Sequence, residues 1–455
     1  MKFRNLGVLA IGGVLAVGAC TQTPAASRPA TSPGGSAAGS PAGSAAGSPA
    51  GSAAGSPAGS AAASGDTSKG SVKIAIALPL EGSELAASQP IVNGVRLAVK
   101  EAGGAAGGYK IEIPDSAVYD DAVNGAHDPQ QGATNMQTIV QDPSIVAVVG
   151  PLNSSVASAQ IPISNEAGIL QCSPANTNPD LTKGAPAKEL RPNPDKNNYI
   201  RVVTTDDVQG PAAAQYIIDN LGKKSVFIID DTETFGKGVA DAFEAEFEKR
   251  GGEVVGHEGV PKTTTDYQSI LTAAAALNPE SIYFGGVTAT GGARILKAAV
   301  AAGLGDVPYV GPDGINDGSG DTPDSFLNLA GADAKNSYST LAGIGDFPEK
   351  ATFDAAYKAE YTEDPTGYAG TGYACAQVVI DALNRGGASG GSDMAALREA
   401  VRAAGTDPSV TYKTILGEIT FSAEGDTSQR IISIYAYDEA TNNWVFKEQI
   451  DYGAG

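Results

Sequence analysis

The sequence predicts an α/β protein with two lobes, each a doubly wound parallel sheet covered by helices, joined by a three-stranded hinge. Short apolar runs alternate with helical stretches along most of the chain, which is typical of parallel sheets with helices on both faces. This alternation runs twice, before and after a Pro-rich, charged segment at 184–198. The folded part, about 72–450, is longer than one ordinary domain, which agrees with two lobes.

The first lobe opens on the apolar strand 72–78, VKIAIAL. Further strands are predicted at 109–113, 145–149 and 168–172, with helices between them such as 130–140. The run at 145–149, IVAVV, contains only apolar residues, as a strand buried on both faces does.

The second pass repeats the same alternation. Strands are predicted at 199–203, 225–229, 253–255, 281–284 and 309–310, with helices that include 239–249 and 293–302. Each pass has about the size of one doubly wound domain.

The C-terminal third breaks the alternation. Three consecutive helices are predicted at 351–361, 368–384 and 394–403, followed by strands at 418–421, 431–437 and 444–449. Helices without partner strands must cover a sheet formed earlier in the chain. The chain is therefore expected to cross between lobes at 203–206, near 337–343 and near Gly417.

These crossings divide the folded part into two discontinuous lobes. Lobe 1 is predicted to comprise residues 71–204 plus 342–417. Lobe 2 is predicted to comprise residues 205–341 plus 418–455.

The N-terminus has the features of an export signal. Lys2 and Arg4 precede an apolar run at 6–17 that is too short to span a bilayer. Val17-Gly18-Ala19-Cys20 is similar to the lipobox of bacterial lipoproteins, which implies a signal peptide at 1–19 and a lipid on Cys20. The alternative is an ordinary secretory signal with a chance cysteine.

A low-complexity segment follows the cysteine. The octapeptide GSAAGSPA occurs three times within residues 20–70. Such a composition has almost nothing to bury and predicts a disordered tether between the membrane and the folded part. Beyond the signal, no run of 18 uninterrupted apolar residues suggests a second membrane segment.

Charge and motifs exclude several function classes. A net charge of −21 repels nucleic acid and anionic lipid, so neither is an expected partner. The folded part has no GxSxG, GxxxxGK[ST] or HExxH motif and no GxGxxG after a strand, which argues against an enzyme and predicts no cofactor. His127 and His257 lie among polar residues and are interpreted as surface residues, so no metal site is predicted.

Two further cysteines lie in apolar surroundings. Cys172 and Cys375 are interpreted by default as buried thiols. An exported protein also permits a disulfide between them, and the sequence leaves this choice open.

Polar residues follow three predicted strands. Gly150–Ser155 and Ser173–Pro179 offer hydroxyls and backbone N–H groups, and Asp313 offers a carboxylate in a Gly-flanked turn. An anion-binding wall facing one carboxylate suits an α-amino acid. The alternatives are helix N-caps for the serines and ordinary turns for the other positions.

The order of motifs resembles the leucine/isoleucine/valine-binding protein family, the type I periplasmic binding proteins of branched-chain amino-acid ABC transporters. The resemblance spans residues 72 to about 440. It is carried by LPLEG at 78–82, YDD at 119–121, 150–155, 173–182, QGPAA at 209–213, FGKG at 235–238, YFGG at 283–286, 311–314 and Gly425-Asp426.

The resemblance implies roles for residues that contact the ligand's head group. Ser154 and Thr177 match the family's serine and threonine, which hold the ligand carboxylate. Ala175 is implied to offer a backbone carbonyl to the ammonium. Asp313 takes the place of the acidic residue that pairs with the ammonium, and Gly314 follows it.

The residues around the ligand side chain depart from the family pattern. Phe235 matches an aromatic residue that closes over the ligand, where tyrosine is usual. Ala87 and Val287 stand where the family often has tyrosines. The head group is therefore specified, whereas the side-chain preference is left open.

The resemblance implies an extracytoplasmic solute-binding lipoprotein that passes an amino acid, such as a branched-chain one, to an ABC permease. The alternatives keep the fold but change the role: binding of an amide, a urea-like molecule or an aromatic acid, or action as a ligand sensor.

Overall fold

The computed structural model describes residues 65–390 and 393–452. The predicted signal peptide at 1–19, the lipidation site Cys20 and most of the tether at 20–70 lie outside these residues. No helix of the described part is long and apolar enough to cross a membrane.

The last residues predicted as tether, 65–70, are exposed but attached to the fold. The Lys69 ammonium donates hydrogen bonds to the backbone oxygens of Gly107 and Gly387, at 3.0 and 2.9 Å. The folded part thus begins by Lys69, before the first strand.

The first pass of the chain builds a mostly parallel sheet. This part of the chain contains β1 (Ser71–Leu78), α1 (Leu85–Glu101), β2 (Ala105–Ala106), β3 (Tyr109–Glu112), β4 (Val118–Asp120), β5 (Ala122–Val123), β6 (Ala126–His127), α2 (Pro129–Gln141), β7 (Ile145–Val149), α3 (Ser154–Glu166), β8 (Leu170–Ser173), α4 (Gly184–Glu189) and β9 (Tyr199–Arg201). The strand order is β2-β3-β1-β7-β8-β9, with β4 also pairing with β1. Every pairing is parallel except that of the edge strand β2. All five residues of β7 are buried, as its apolar sequence predicts.

The second pass and the C-terminal strands build the second sheet. The second pass contains α5 (Asp206–Gln215), β10 (Ser225–Asp230), α6 (Thr234–Lys249), β11 (Glu253–Gly259), α7 (Gln268–Ala276), β12 (Ser281–Gly285), α8 (Gly292–Ala299), β13 (Tyr309–Gly311), α9 (Phe326–Ala330) and β14 (Ser337–Leu341). The C-terminal third contains α10 (Lys350–Tyr361), α11 (Gly367–Gly390), α12 (Met394–Gly405), β15 (Tyr412–Thr414), β16 (Gly417–Ile419), β17 (Ile431–Asp438) and β18 (Asn443–Asp451).

The second sheet has the order β11-β10-β12-β13-β14-β17-β18. Its pairings are parallel from β11 to β14. The strand β17 then pairs antiparallel with β14, and β18 pairs antiparallel with β17 in a hairpin. As predicted, the late helices cover the first sheet: α11 packs on α1, β7 and β8, and α12 packs on α11 and β7. The predicted fold class, two doubly wound α/β lobes joined by three crossing segments, is confirmed.

Two local expectations differ from the structure. The segment 184–198, expected to be a loop, contains the short helix α4. The return crossing, expected near Gly417, comes later, because Ile419 and Phe421 are still buried in the core of the first sheet. The short hairpin of β15 and β16 keeps the chain on that side until it enters β17.

The three crossing segments lie side by side. The Thr204 amide donates to the Ala342 oxygen, and the Arg201 amide donates to the Gly425 oxygen, both at 3.1 Å. Backbone hydrogen bonds therefore tie the first crossing to each of the other two.

The Arg201 side chain is fully buried beside these crossings. Its Nε donates to Asp426 Oδ1 at 2.8 Å, and its Nη1 donates to the backbone oxygens of Asn176 and Asn178 at 3.1 and 2.8 Å. Its Nη2 donates to the Thr182 hydroxyl. One guanidinium thus joins the loop after β8 to the third crossing segment.

Cys172 on β8 and Cys375 on α11 form a disulfide across 203 residues of chain. Both are fully buried. The default interpretation of two free thiols is therefore wrong, because the helix from the C-terminal third packs directly on the first sheet.

We expect reduction of this disulfide to lower the free energy of unfolding by about 2–5 kcal/mol, since the bond closes a long loop of the unfolded chain. Urea unfolding with and without dithiothreitol measures the effect. The Cys172→Ser/Cys375→Ser double variant is the control, because its midpoint should not respond to the reductant. Identical midpoints for the wild-type protein in both conditions would contradict the expectation.

Candidate functional site

A pocket lies where the carboxyl ends of strands from both sheets meet, the usual position of ligands in open α/β folds. Loops after β1, β7 and β8 supply one wall, and loops after β12 and β13 supply the other. The N-termini of α6 and α11 complete it. The lining residues are Ser83, Glu84, Ala87, Leu152, Asn153, Ser154, Ala175, Phe235, Val287, Thr288, Asp313, Gly314, Asp317 and Tyr368.

The structure brings five of the six sequence-predicted ligand contacts into this pocket: Ser154, Ala175, Phe235, Asp313 and Gly314. Thr177 does not line it. Thr177 is fully buried, and its backbone oxygen accepts a hydrogen bond from the Asp206 amide at 2.9 Å. Its predicted contact with a ligand carboxylate stays a prediction.

Gly314 lies where the loops after β12 and β13 come close to each other. A Cβ at this position would lie 2.4 Å from the Gly286 oxygen and 3.1 Å from Phe235 Cε1. The Gly314 oxygen also accepts a hydrogen bond from the Thr288 amide at 3.0 Å. A side chain at this position would therefore push apart the loops after β12 and β13.

Asp313 is buried and held by two side chains. Its Oδ1 accepts a hydrogen bond from Gln209 Nε2 at 2.8 Å, and its Oδ2 accepts one from the Tyr368 hydroxyl at 3.0 Å. Burial raises the pKa of Asp313 to about 6, although both hydrogen bonds act in the opposite direction. The carboxylate is thus oriented, poorly solvated and suited to a cationic partner.

Tyr368 reaches the pocket because α1 and α11 pack closely. A Cβ at Gly94 on α1 would lie 2.2 Å from the Ala369 oxygen on α11. The absence of a side chain at Gly94 therefore allows the start of α11, with Tyr368, to approach the site.

Glu84 forms a buried ion pair with His127. Its Oε1 lies 2.9 Å from His127 Nδ1 and accepts a hydrogen bond from Asn153 Nδ2 at 2.6 Å. Burial disfavours the charged imidazole, but the Glu84 and Glu233 carboxylates together outweigh it and raise the pKa of His127 to about 10. The interpretation of His127 as a surface residue was wrong.

A chain of charges continues from His127 to the second wall. His127 Nε2 lies 3.8 Å from Glu233 Oε2, and Glu233 Oε1 lies 3.2 Å from Lys262 Nζ. Glu84 and His127 belong to the side of the first sheet, whereas Glu233 and Lys262 belong to the side of the second. The Glu84–His127–Glu233–Lys262 chain therefore bridges the two halves beside the pocket.

Asp317 is a third carboxylate of the pocket. Its Oδ1 accepts a hydrogen bond from the Phe326 amide at 2.9 Å. Its Oδ2 is buried and has no hydrogen-bond partner among the described residues. Burial, with a contribution from the negative charge of Glu84, raises the pKa of Asp317 to about 7.

His257 lies outside the pocket and is half-buried rather than a surface residue. Its ring nitrogens lie 3.0 Å from Asp230 and 2.6 Å from Glu244. Ligand atoms of Asp241, Glu244 and His257 lie within 4.8 Å of one another. Asp230 and Glu244 are the hydrogen-bond partners of the imidazole, and Asp241 pairs with Lys237.

Sequence reasoning missed several polar residues of the site: Glu84, Asn153, Gln209, Asp317 and Tyr368. Glu84 and Asp317 could have been found, because each follows a strand end already singled out. Tyr368 could not, since it lies 55 residues from Asp313 along the chain and on a helix predicted to cover the other lobe.

Comparisons with known proteins agree with this architecture. The periplasmic binding protein family matches residues 71–441. A Leu/Ile/Val-binding protein homolog of Brucella abortus is 29% identical over 369 residues, covering 80% of this chain and 90% of that protein.

Solved structures show the same fold. A leucine binding protein of Thermotoga maritima has a TM-score of 0.70 at 23% identity, with 84% of this chain and 99% of that one covered. An ABC-transporter solute binding protein of Rhodopseudomonas palustris, in complex with 3,4-dihydroxybenzoic acid, has a TM-score of 0.67 at 20% identity, covering 84% and 98%. With its two sheets, its crossing segments and a pocket at the strand ends between them, the chain belongs to the periplasmic binding protein family.

Proposed function

We propose that this protein is the solute-binding component of an ABC importer and that it binds an amino acid in the pocket between its two sheets. The observation that carries the proposal is Asp313, a buried carboxylate oriented by Gln209 and Tyr368. In this proposal Asp313 pairs with the α-ammonium of the ligand.

The opposite wall supplies partners for the rest of the head group. Ser154 begins α3, so its hydroxyl and the N-terminal amides of the helix suit the ligand carboxylate. The backbone of Ala175 lines the same pocket and suits the ammonium. A zwitterion therefore meets complementary charge on both walls.

The proposal includes an extracytoplasmic position. The lipobox-like sequence ending at Cys20 and the Gly/Ala/Ser/Pro segment after it support a lipid anchor with a tether. A lipid-anchored receptor would remain close to the permease to which it delivers the ligand.

An aromatic acid is the second candidate, because a structurally similar protein holds 3,4-dihydroxybenzoic acid. The lining residues argue against it. They include three carboxylates and no lysine, arginine or histidine. An aromatic acid would bring another negative charge without an ammonium to balance Asp313.

Hinge closure is the proposed mechanism. The moving lobes would be those expected from the sequence, 71–204 plus 342–417 and 205–341 plus 418–455, except that the residues up to Phe421 would move with the first lobe, whose core they join. The crossing segments would be the hinge. A ligand that contacts both walls favours the closed state by its differential affinity. The Glu84–His127–Glu233–Lys262 chain would add to the stability of that state.

We expect Asp313→Asn to weaken amino-acid binding by about 2–5 kcal/mol, because the ligand ammonium would lose its charged partner in a buried site. Isothermal titration calorimetry on protein freed of co-purified ligand measures the effect. The exposed Asp306→Asn is the matched control and should bind like the wild type. Equal affinities for all three proteins would remove Asp313 from the site.

We expect amino-acid affinity to fall as the pH drops below about 6. Well below that pH, the affinity should fall by about tenfold per pH unit. The ligand ammonium requires ionised Asp313, and protonation of the free protein competes with binding below its pKa. Calorimetry from pH 4.5 to 8 tests this expectation. The Asp313→Asn variant should lack the step, and a flat wild-type profile would contradict it.

We expect Glu233→Gln to raise the rate of ligand dissociation by about three- to tenfold, since it removes a half-buried charge from the bridge between the lobes. Stopped-flow fluorescence measures the rate. Glu246→Gln is the control, because Glu246 lies on the same helix but pairs only with Lys249 and Arg250 within the described residues. A dissociation rate equal to that of the control would exclude the bridge from closure.

A further inference from the structure

The pocket contains a second group of polar side chains beside the proposed head-group contacts. Glu84 and Asn153 belong to it on the first wall, and Thr288 and Asp317 on the second. All four are buried, with 3–6% of each residue exposed. A branched hydrocarbon side chain in this pocket would leave these four polar groups without a partner from the ligand.

Two of these side chains have buried oxygens without hydrogen-bond partners among the described residues. Asp317 Oδ2 and Asn153 Oδ1 both lack a donor. The other Asp317 oxygen is engaged by the Phe326 amide at 2.9 Å, which fixes the orientation of the carboxylate. Buried acceptors of this kind are costly unless a donor reaches them.

The three carboxylates of the pocket differ in their counter-charges. Glu84 has His127, 2.9 Å away. Asp313 has the α-ammonium of the ligand under the proposed function. Asp317 faces Glu84, Thr288, Tyr368 and the Phe326 amide, and none of these supplies a positive charge. One negative group is therefore left for the ligand to balance.

Two other residues of the same lining are apolar. Ala87 is small, and Val287 does not carry a polar group. An aliphatic stem would pack on these two residues while its polar end reaches Asp317, as the stems of long charged side chains pack on apolar surface.

We propose that the ligand is a basic α-amino acid, whose ammonium or guanidinium end pairs with Asp317 and donates to Asn153. This inference rests on the proposed function and names its ligand class. The acceptors suit a cation because they offer negative charge and lone pairs, and the Thr288 hydroxyl that faces Asp317 carries no positive charge. A leucine-like side chain would bury the Asp317 carboxyl against methyl groups.

The titration of Asp317 provides an independent readout. Burial and the charge of Glu84 raise its pKa to about 7. A cationic side chain stabilises the ionised carboxylate, so binding at pH 6.5 should release protons and affinity should rise as the pH increases through 7. Burial also raises the pKa of Asp313, to about 6. The Asp317→Asn variant should lose only the proton release that belongs to Asp317, which separates the two effects.

The test is calorimetry of the full chain, freed of co-purified ligand, with arginine, lysine, glutamine, leucine, alanine and 3,4-dihydroxybenzoate. We expect arginine or lysine to bind at least about tenfold more tightly than leucine. Asp317→Asn keeps an acceptor for the Phe326 amide and should lose at least about tenfold for the basic amino acid. Its affinity for alanine, which has only the head group, should fall by a smaller factor than its affinity for the basic amino acid.

The exposed Asp321→Asn is the control and should keep the wild-type order of ligands. Leucine or glutamine binding more tightly than every basic amino acid would overturn this inference and leave the proposed function intact. Binding of 3,4-dihydroxybenzoate with no amino acid bound would overturn the proposed function itself. The order of ligand affinities of the wild-type protein tests this inference even if Asp317→Asn fails to fold.

Discussion

The buried guanidinium of Arg201 is the interaction on which the arrangement of both halves depends. It binds the backbone of the loop that carries Ala175 and Thr177, and it pairs with Asp426 on the third crossing segment. A fully buried arginine must have all its charge and donors satisfied, or burial costs several kcal/mol. Its partners therefore cannot move independently of β9, and one wall of the pocket is tied to the hinge.

The same constraint is compatible with the proposed hinge closure. The loop after β8 is fixed to the first sheet, whereas Asp313 and Phe235 belong to the second. Only the crossing segments need to change their backbone angles when the two walls approach or separate. Precise contacts within each wall are then compatible with a pocket that can open.

The fold could be predicted from the sequence to a large extent, because the central strands of the first sheet are local apolar runs, as burial on two faces requires. The short edge strands β2 and β4 have no such run and were not predicted. The run IVAVV of β7 is the clearest case. The late crossing was misplaced because the hairpin of β15 and β16 is short and its partner, the first core, is formed far away in the chain. The disulfide escaped prediction for the same reason.

The candidate site could be predicted only in part. The loops that carry Ser154, Ala175 and Asp313 could be singled out because each follows a predicted strand, and the family resemblance pointed to these residues within them. All three line the pocket. Gln209 and Tyr368 were missed because their role, to hold the Asp313 carboxylate, depends on packing between distant elements. His127 was misjudged because polar neighbours in sequence do not indicate that Glu84 lies against its ring.

The link between Cys172 and Cys375 has a consequence for the covalent integrity of the molecule. It encloses all strands of the second sheet up to β14 within one ring of chain. A single proteolytic cut anywhere between the two cysteines would open that ring but leave both fragments attached. The bond also needs both cysteines, so it can form only in a chain that extends through residue 375.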